Sequence, residues 1–179
     1  KPDVLKRSLQ SVISVAPKHP EGYKPYIVSL DPAGKVYNQE KAQKLSKKGW
    51  LIFICGHYEG VDERFKELFV DEEISIGDYI LGGGETAALV LIDSISRLIP
   101  GFLGEKQSLV NESFSRAKVN QKKVKLLDYP VYTRPEEFAG KKVPGILLSG
   151  DHAKINKWRL NQQIEKTKRK RPDLLKAKI

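Results

Sequence analysis

The sequence predicts an α/β protein with a parallel sheet, because short apolar strands alternate with helical segments through the first hundred residues. Trp50–Ile54 is a continuous apolar run, typical of a buried parallel strand, and it breaks abruptly into a glycine-containing loop. A second short run, Ile74–Ile76, leads into a loop with four glycines. Ligands bind beyond the carboxyl ends of strands in open α/β sheets, so these two loops predict a binding site.

The other elements follow from local patterns of apolar residues and turn signals. The strand Tyr26–Leu30 is expected to stop at Asp31-Pro32-Ala33-Gly34, which is a turn signature. The last helix of this part is expected to end at Pro100-Gly101. Helices are predicted over Val4–Ile13, Gln39–Lys48, Asp62–Phe69 and Glu85–Ile99.

The C-terminal part lacks this alternation. From Glu105 to about Lys125 the sequence is polar and basic, contains neither glycine nor proline, and shows no sustained period, which predicts a mobile linker. A basic helix is predicted from Asp151 to about Lys170, capped by Ser149 or Asp151. The predicted domains are a cofactor-binding α/β domain over 1–104, a flexible linker over 105–127, and a small basic helical domain over 128–179.

The positive charge is confined to one part of the chain. Residues 1–104 hold 13 Lys/Arg and 14 Asp/Glu, a net charge of −1, whereas residues 105–179 hold 19 and 8, a net charge of +11. This distribution favours a polyanionic partner bound by the C-terminal part. A lysine-rich helical surface that is merely solvated is the alternative.

Composition excludes several classes of function. No apolar run is long enough to span a bilayer, so a membrane protein is not expected. The single cysteine, Cys55, excludes an intrachain disulfide and fits a cytoplasmic protein; its position favours a buried thiol over a nucleophile. The sequence has no P-loop, no Rossmann glycine motif and no zinc-ligand spacing. Methionine is absent, so we expect Lys1 to lie inside a longer protein.

An ordered set of motifs resembles one family, the bacterial tRNA (guanine-N1)-methyltransferases of the SPOUT superfamily. The resemblance covers most of the chain from about Tyr26 onward. The motifs that carry it are Gly56-His57-Tyr58-Glu59-Gly60-Val61-Asp62-Glu63-Arg64, Ser75-Ile76-Gly77-Asp78-Tyr79, Gly83-Gly84-Glu85, Ser96-Arg97-Leu98-Ile99-Pro100-Gly101, Tyr132-Thr133-Arg134-Pro135, Leu147-Leu148-Ser149-Gly150-Asp151-His152 and Arg171-Pro172-Asp173-Leu174.

The resemblance implies a deep C-terminal trefoil knot in the sheet domain, whose loops hold S-adenosylmethionine in a bent conformation. Taken from the residues alone, Gly82-Gly83-Gly84 could equally be a tight turn before a helix. The implied cofactor-binding residues are Leu30, Asp31, Pro32, Gly56, Tyr58, Glu59, Ser75, Ile76, Gly77, Tyr79, Leu81, Gly83, Gly84 and Ala87.

The resemblance also implies two catalytic residues. Arg97 matches the arginine that steadies the guanine oxygen, and Glu112 stands where the family usually has an aspartate that acts as general base. Without the resemblance, Arg97 could form an ion pair with Asp93 four residues earlier, and Glu112 could be a solvated acid.

The expected substrate is tRNA, methylated at N1 of the guanosine 3′ to the anticodon by a homodimer, with Mg²⁺ as a possible additional cofactor and no metal-ligand set identified. A SPOUT methyltransferase acting on another RNA, or a catalytically inactive RNA-binding fragment, are the alternatives. The implied substrate-binding residues are Asp128, His152, Arg159, Lys166 and Arg169.

Overall fold

The computed structural model describes residues 1–15, 24–57, 60–102, 112–119 and 122–176. The chain folds as two compact units, Lys1–Gly104 and Glu105–Ile179. In the part of the chain that the structure describes, no helix is both long and apolar enough to cross a membrane.

The first unit is built on a parallel sheet in which β1 lies between β2 and β3. The predicted α/β fold with a parallel sheet is therefore confirmed. Its elements are α1 (Pro2–Val15), β1 (Tyr26–Val36), α2 (Gln39–Leu45), β2 (Leu51–Cys55), α3 (Glu63–Phe69), β3 (Glu72–Ser75) and α4 (Gly84–Ser96).

Helices cover both faces of this sheet because successive β1 side chains point to opposite sides. Val28 and Leu30 pack in one core cluster with residues of α2 and α4, among them the fully buried Leu91. Ile27 packs in a second cluster with Leu9 and Phe65. The sheet is thus the middle layer of the unit, which leaves the carboxyl ends of β2 and β3 open to the binding loops.

The structure differs from the sequence prediction in the strand that contains Leu30. β1 does not stop there but continues to Val36, with an irregularity between Leu30 and Lys35 in its pairing with β3. A Cβ on Gly34 would lie 2.5 Å from the Glu73 carbonyl carbon, so glycine allows this close approach. Asp31-Pro32-Ala33-Gly34 therefore forms a bulge within the strand rather than its end.

The second unit contains two antiparallel hairpins in addition to helices. It consists of β4 (Ser115–Val119), β5 (Lys122–Leu126), β6 (Glu137–Phe138), β7 (Lys141–Lys142), α5 (Gly145–Leu148), α6 (His152–Lys170) and a 3₁₀ turn (Pro172–Leu175).

The expectation of a linker without regular structure over 105–127 was wrong for β4 and β5. These strands pair in register, and Val124 and Leu126 are buried in the second unit. Alternation of apolar and basic residues in β5 gives the strand one buried side, which explains why it is ordered. The earlier part of the expected linker, 105–111, lies outside the described residues.

Candidate functional site

A cavity of about 630 Å³ opens beyond the carboxyl ends of β2 and β3, beside the bulge of β1. Tyr58 and Glu59 lie outside the described residues. The other twelve residues predicted to bind the cofactor are brought together at this cavity, although their role in binding stays a prediction. They are Leu30, Asp31, Pro32, Gly56, Ser75, Ile76, Gly77, Tyr79, Leu81, Gly83, Gly84 and Ala87.

Gly84 fixes one wall of the cavity through close backbone packing. A Cβ at this position would lie 2.8 Å from the Cα atom of Cys55, and the Gly84 N–H donates to the Gly56 carbonyl at 3.0 Å. A Cβ on Gly83 would instead meet the side-chain ends of Glu85 and His57, at 2.5 and 2.7 Å. Since flexible side-chain ends can move and a strand backbone cannot, Gly84 is the stricter requirement.

The loop after β3 is held by its own hydrogen bonds. The Ser75 hydroxyl lies 3.2 Å from the Gly77 N–H and 3.1 Å from the Gly77 carbonyl, and the Tyr79 hydroxyl donates to the Ile76 carbonyl at 3.2 Å. Gly77 has a φ of 151°, a conformation that favours glycine. This wall of the cavity is therefore held in place by contacts within the loop itself.

Asp31, at the cavity edge, is tied to α3 by a lysine that the sequence analysis did not single out. The Lys66 ammonium lies 3.6 Å from Asp31 Oδ2, 2.9 Å from a Glu73 oxygen and 2.8 Å from a Glu63 oxygen. Hydrogen bonds that Lys66 donates to the Glu63 and Glu73 carboxylates raise the pKa of Lys66, so it stays charged throughout the usual pH range. The Asp31 carboxylate also accepts from the Ala33 N–H at 2.9 Å, which fixes its orientation.

His57 and Glu85 form a polar pair beside the glycine loops. His57 Nε2 lies 2.6 Å from Glu85 Oε1, and both side chains are about half exposed. The backbone N–H of Glu85 and then the hydrogen bond from His57 lower the pKa of this carboxyl group, so it is ionised at neutral pH. The pair joins the end of β2 to the first turn of α4.

Cys55 is partly buried at the end of β2. Burial, followed by the nearby Glu85 carboxylate, raises the pKa of its thiol. A thiol with a raised pKa is protonated at neutral pH, and only the thiolate is a good nucleophile. The interpretation of Cys55 as a packing residue is therefore favoured over a nucleophile.

Arg97 lies at the C-terminal end of α4 in the first unit. It is the C-cap residue, and its N–H lies 3.4 Å from the Asp93 carbonyl. The helix ends at Ser96, earlier than the predicted Ile99. The catalytic role of Arg97, and the alternative ion pair with Asp93, both stay predictions.

The second unit brings Glu112 and Asp128 to one turn at the base of the β4–β5 hairpin. The Glu112 carbonyl accepts from the Ser115 N–H at 3.1 Å, and the Ser113 hydroxyl accepts from the Asp128 N–H at 3.0 Å. The Asp128 carboxylate accepts from the Tyr129 N–H at 2.7 Å. Glu112 and Asp128, both predicted to be functional, thus flank the two ends of the hairpin, which Ser113 joins by its hydrogen bond to the Asp128 N–H.

The remaining predicted substrate-binding residues do not form one cluster. Arg159 stacks over the Tyr129 ring at 4.7 Å, which places it near Asp128. His152 is the first residue of α6, whereas Lys166 and Arg169 lie near its last turns. Because 19 helical residues span about 28 Å, these residues form an extended surface and not a pocket.

No preformed metal centre is found among the residues that the structure describes. They include no group of three or more His, Cys, Asp or Glu side chains that could hold a metal ion.

One protein family matches this chain over nearly its whole length. The family described as tRNA (Guanine-1)-methyltransferase TrmD matches residues 1–177. The chain belongs to the tRNA (guanine-1)-methyltransferase family. The resemblance drawn from the motifs is therefore confirmed.

Curated members of the tRNA (guanine-1)-methyltransferase family are about half identical to this chain over the stretch that aligns. The tRNA (guanine-N(1)-)-methyltransferase of Listeria monocytogenes is 51% identical over 166 residues, which are 93% of this chain and 64% of that protein. The protein of the same name from Carboxydothermus hydrogenoformans is 54% identical over 153 residues, 86% of this chain and 57% of that protein. The chain thus spans less than two thirds of the length of these relatives.

Six residues that line the cavity in this member of the tRNA (guanine-1)-methyltransferase family were not among the individual residues predicted to bind the cofactor. Three of them lie inside the quoted motifs, so the motif signal could have found them. Ile80 and Gly82 lie in the loop after β3 that was expected to contribute to a binding site, whereas only the three-dimensional structure shows that Ile74 of β3 faces the cavity. The six are His57, Gly60, Val61, Ile74, Ile80 and Gly82.

Proposed function

We propose that this chain is the S-adenosylmethionine-dependent part of an enzyme that methylates N1 of the guanosine 3′-adjacent to the anticodon in tRNA. One observation carries the proposal: in a chain of this family, the loops that the motifs single out converge on one cavity. Membership of the family supports the reaction, and the cavity supports the place where the methyl donor binds.

The residues at the cavity fit S-adenosylmethionine. The cavity volume of about 630 Å³ lies within the usual range for cofactor sites, and the cavity walls combine glycine backbone with apolar side chains such as Leu30 and Ile76. Glycines in these walls allow the backbone to come close to a ligand, so backbone groups at the cavity surface can hydrogen-bond the adenine ring. When bound, the cofactor supplies an electrophilic methyl group on a sulfonium sulfur.

Glu112 and Arg97 are assigned complementary roles on the guanine base. The Glu112 carboxylate accepts the proton of N1, which leaves N1 with a lone pair for the methyl group that a bound S-adenosylmethionine would supply. The Arg97 guanidinium stabilises the negative charge that develops on O6. Arg97 belongs to the first unit and Glu112 to the second, so each role requires its own test.

The proposal includes a homodimer and a trefoil knot. α4 buries Leu91 and Ile95 in the core, yet it also exposes Leu89, Val90 and Ile92, of which Leu89 is 65% exposed. A helix that is apolar on both sides is expected to be covered by a partner, and a second copy of the chain fits the family. The trefoil knot is proposed from membership of the family, and the parallel sheet of β1, β2 and β3 is compatible with it.

Recognition of tRNA is assigned to the second unit, which carries a net charge of +11 over 105–179. The last turn of α6 alone contributes Lys168, Arg169 and Lys170, all exposed. Phosphate groups are the natural partners of such a surface. A tRNA substrate and a single cysteine together support a cytoplasmic location.

The decisive experiment measures transfer of a labelled methyl group to unmodified tRNA. The native chain is expected to label tRNA with guanosine 3′ to the anticodon and not the same tRNA with adenosine at that position. Equal labelling of both would favour a methyltransferase for another RNA site, and tRNA binding without labelling would favour a catalytically inactive RNA-binding fragment. Parallel reactions with Mg²⁺ and with EDTA test whether the proposed additional cofactor is needed.

A further inference from the structure

Asp31 is the one acidic residue among the described residues that line the cavity. The other lining residues in this part of the chain are glycines, a histidine, and apolar, proline, serine and tyrosine residues, with no lysine or arginine. The Asp31 side chain is 21% exposed, so water and salt screen its charge only in part. A ligand in the cavity therefore meets a weakly screened acidic group at the bulge of β1.

Two contacts hold the Asp31 carboxylate in place and leave it able to accept more hydrogen bonds. Oδ1 accepts from the Ala33 N–H at 2.9 Å, and the Lys66 ammonium lies 3.6 Å from Oδ2. A carboxylate offers about four acceptor positions on its two oxygens. The carboxylate is therefore oriented by the protein and still has capacity for a donor on a ligand.

Lys66 neutralises Asp31 only in part. The Lys66 ammonium lies closer to two other carboxylates, at 2.8 Å from Glu63 and 2.9 Å from Glu73, than to Asp31. One positive group thus faces three negative groups, which leaves an excess of negative charge in this cluster. The resulting potential beside the bulge of β1 favours a positively charged group on the ligand.

The position of Asp31 suits the part of the ligand that lies away from the adenine ring. The glycine loops after β2 and β3 form the walls proposed to hold the ring, whereas Asp31 belongs to the bulge of β1. Glu85 also lies beside the glycine loops, but its Oε1 contacts His57 Nε2 at 2.6 Å and it is not a lining residue. Asp31 is therefore the better placed carboxylate for a cationic group in the cavity.

S-adenosylmethionine has two positive groups, the α-ammonium of its methionine part and the sulfonium. An ammonium has three hydrogens to donate, whereas a sulfonium sulfur is bound to three carbons and has none. A hydrogen bond between an ammonium and a carboxylate is about twice as strong as one between neutral groups. A fixed carboxylate such as Asp31 therefore fits the ammonium better than the sulfonium.

We infer that Asp31 accepts a hydrogen bond from the α-ammonium of S-adenosylmethionine and so selects ligands that carry the methionine part. This inference rests on the proposed function, because it names the role of one residue at the proposed cofactor site. The demethylated product, S-adenosylhomocysteine, keeps the ammonium and loses only the sulfonium charge, so Asp31 should contribute to binding both. Methylthioadenosine has the adenosine and the sulfur but no ammonium, so Asp31 should contribute little to its binding.

The test is Asp31→Asn in the full chain, with calorimetric titration of the three ligands. Asparagine keeps an oxygen that can accept from the Ala33 N–H but removes the charge, so the bulge of β1 should be retained. Affinity for S-adenosylmethionine and for S-adenosylhomocysteine should each fall by about 10- to 100-fold, the effect of losing a hydrogen bond between charged groups. Affinity for methylthioadenosine should stay close to native. A thermal melting curve establishes that the variant is folded.

Asp78→Asn is the matched control. Asp78 lies between the lining residues Gly77 and Tyr79, but it is exposed and is not itself a lining residue. This variant should bind all three ligands with native affinity. If it shows the same losses as Asp31→Asn, the charge acts from a distance and the proposed contact is wrong.

A second measurement needs no variant. The native chain should bind an analogue of S-adenosylhomocysteine in which hydrogen replaces the amino group less tightly than S-adenosylhomocysteine, again by about 10- to 100-fold. Equal affinities for the two compounds would show that the ammonium is not recognised, which would overturn the inference.

The remaining outcomes separate this inference from the proposed function. If Asp31→Asn binds S-adenosylmethionine and S-adenosylhomocysteine as tightly as the native chain, the inference is wrong and the proposed function stands. A loss confined to S-adenosylmethionine would mean that Asp31 meets the sulfonium, and equal losses for all three ligands would mean that Asp31 only shapes the cavity. Either result overturns the inference. If the native chain binds none of the three ligands, the proposed cofactor site fails together with the inference.

Discussion

The two units differ in which atoms they offer to a partner. In 1–104, with a net charge of −1, the cavity is lined largely by glycines and apolar residues, so backbone groups are presented to the ligand. In 105–179, with a net charge of +11, the polar surface consists of long basic side chains on α6 and the β4–β5 hairpin. Binding at the cavity therefore depends on shape, whereas binding at the basic surface depends on charge.

This difference predicts different responses to mutation and to salt. A backbone-lined cavity fails when one added atom blocks it, whereas a charged surface loses affinity in steps as cations are removed one by one. Salt should weaken binding to the charged surface and have little effect on binding in the cavity. The substitutions that follow test this division, from the largest expected effect to the smallest.

Glu112→Gln should have the largest effect because it keeps the size of the side chain but removes its basicity. Loss of a positioned proton acceptor typically costs about 10²–10⁴-fold in rate. Single-turnover methylation with saturating tRNA and cofactor is the measurement. A near-native rate would remove Glu112 as the base and leave its neighbour Asp128 as the candidate.

Arg97→Ala should reduce the same rate by a similar factor if Arg97 stabilises the charge on O6. Asp93→Ala is the matched control, since it lies one turn earlier on α4 and should leave the rate unchanged. Equal losses in both variants would support an ion pair between them as the main role of Arg97.

Neutralising Lys166, Lys168, Arg169 and Lys170 together should reduce tRNA affinity by about 10- to 100-fold and flatten its salt dependence. Cofactor affinity should change little, because these residues belong to α6 of the second unit. Binding isotherms at several salt concentrations give both quantities. Loss of cofactor binding in this variant would break the proposed division between the units.

Gly84→Ala should weaken binding of S-adenosylmethionine by about 10-fold or more, since its Cβ would collide with the backbone of Cys55. Gly145→Ala is the control, because a Cβ there meets nothing within 4 Å and this residue does not line the cavity. Calorimetric titration of both variants gives the comparison. Equal affinities would mean that the loop tolerates the shift and that close packing at Gly84 does not shape the cavity.

Asp151→Ala should have the smallest effect, a lowering of the thermal midpoint of the second unit by a few degrees with no change in cofactor affinity. Its carboxylate accepts from the Lys154 N–H at 3.0 Å and caps α6. That hydrogen bond, and then the Lys154 side chain, lower the pKa of Asp151. The cap should therefore stabilise α6 fully at pH values above the ordinary pKa of aspartate, and this stabilisation should be lost as the pH falls through the lowered pKa.

Asp151→Asn is the control for this pH dependence, because asparagine caps a helix without titrating. Melting curves between pH 2 and 7 should show an acid-dependent loss for the native chain that is weaker in the asparagine variant. Parallel curves for the two proteins would show that another carboxyl group causes the acid sensitivity.

The sequence was sufficient for features that depend on local patterns. The order of helices and strands up to Ser96 follows from apolar periodicity, and the residues around the cavity follow from motifs that stand directly after strands. The continuation of β1 to Val36 was missed because it depends on pairing with β3, some forty residues later. Pairing between strands that are distant in the chain leaves no local sequence signal when a proline and a glycine interrupt the strand pattern.

The β4–β5 hairpin and Lys66 were missed for related reasons. The sequence between Val119 and Lys122 has no glycine, so the usual hairpin signal is absent. Lys66 is one of many lysines in the chain, and nothing in its neighbourhood indicates that it meets Asp31. Contacts between distant charged side chains become visible only when the fold is known.

The contact of Lys66 with Asp31 gives the cavity a connection to a helix that does not line it. A ligand that holds Asp31 in place also holds the lysine, and through it the backbone of α3. We expect amide hydrogens in Glu63–Phe69 to exchange more slowly with deuterium when the cavity is filled. Occupancy would then be detectable at a distance, in a segment whose own atoms never touch the ligand.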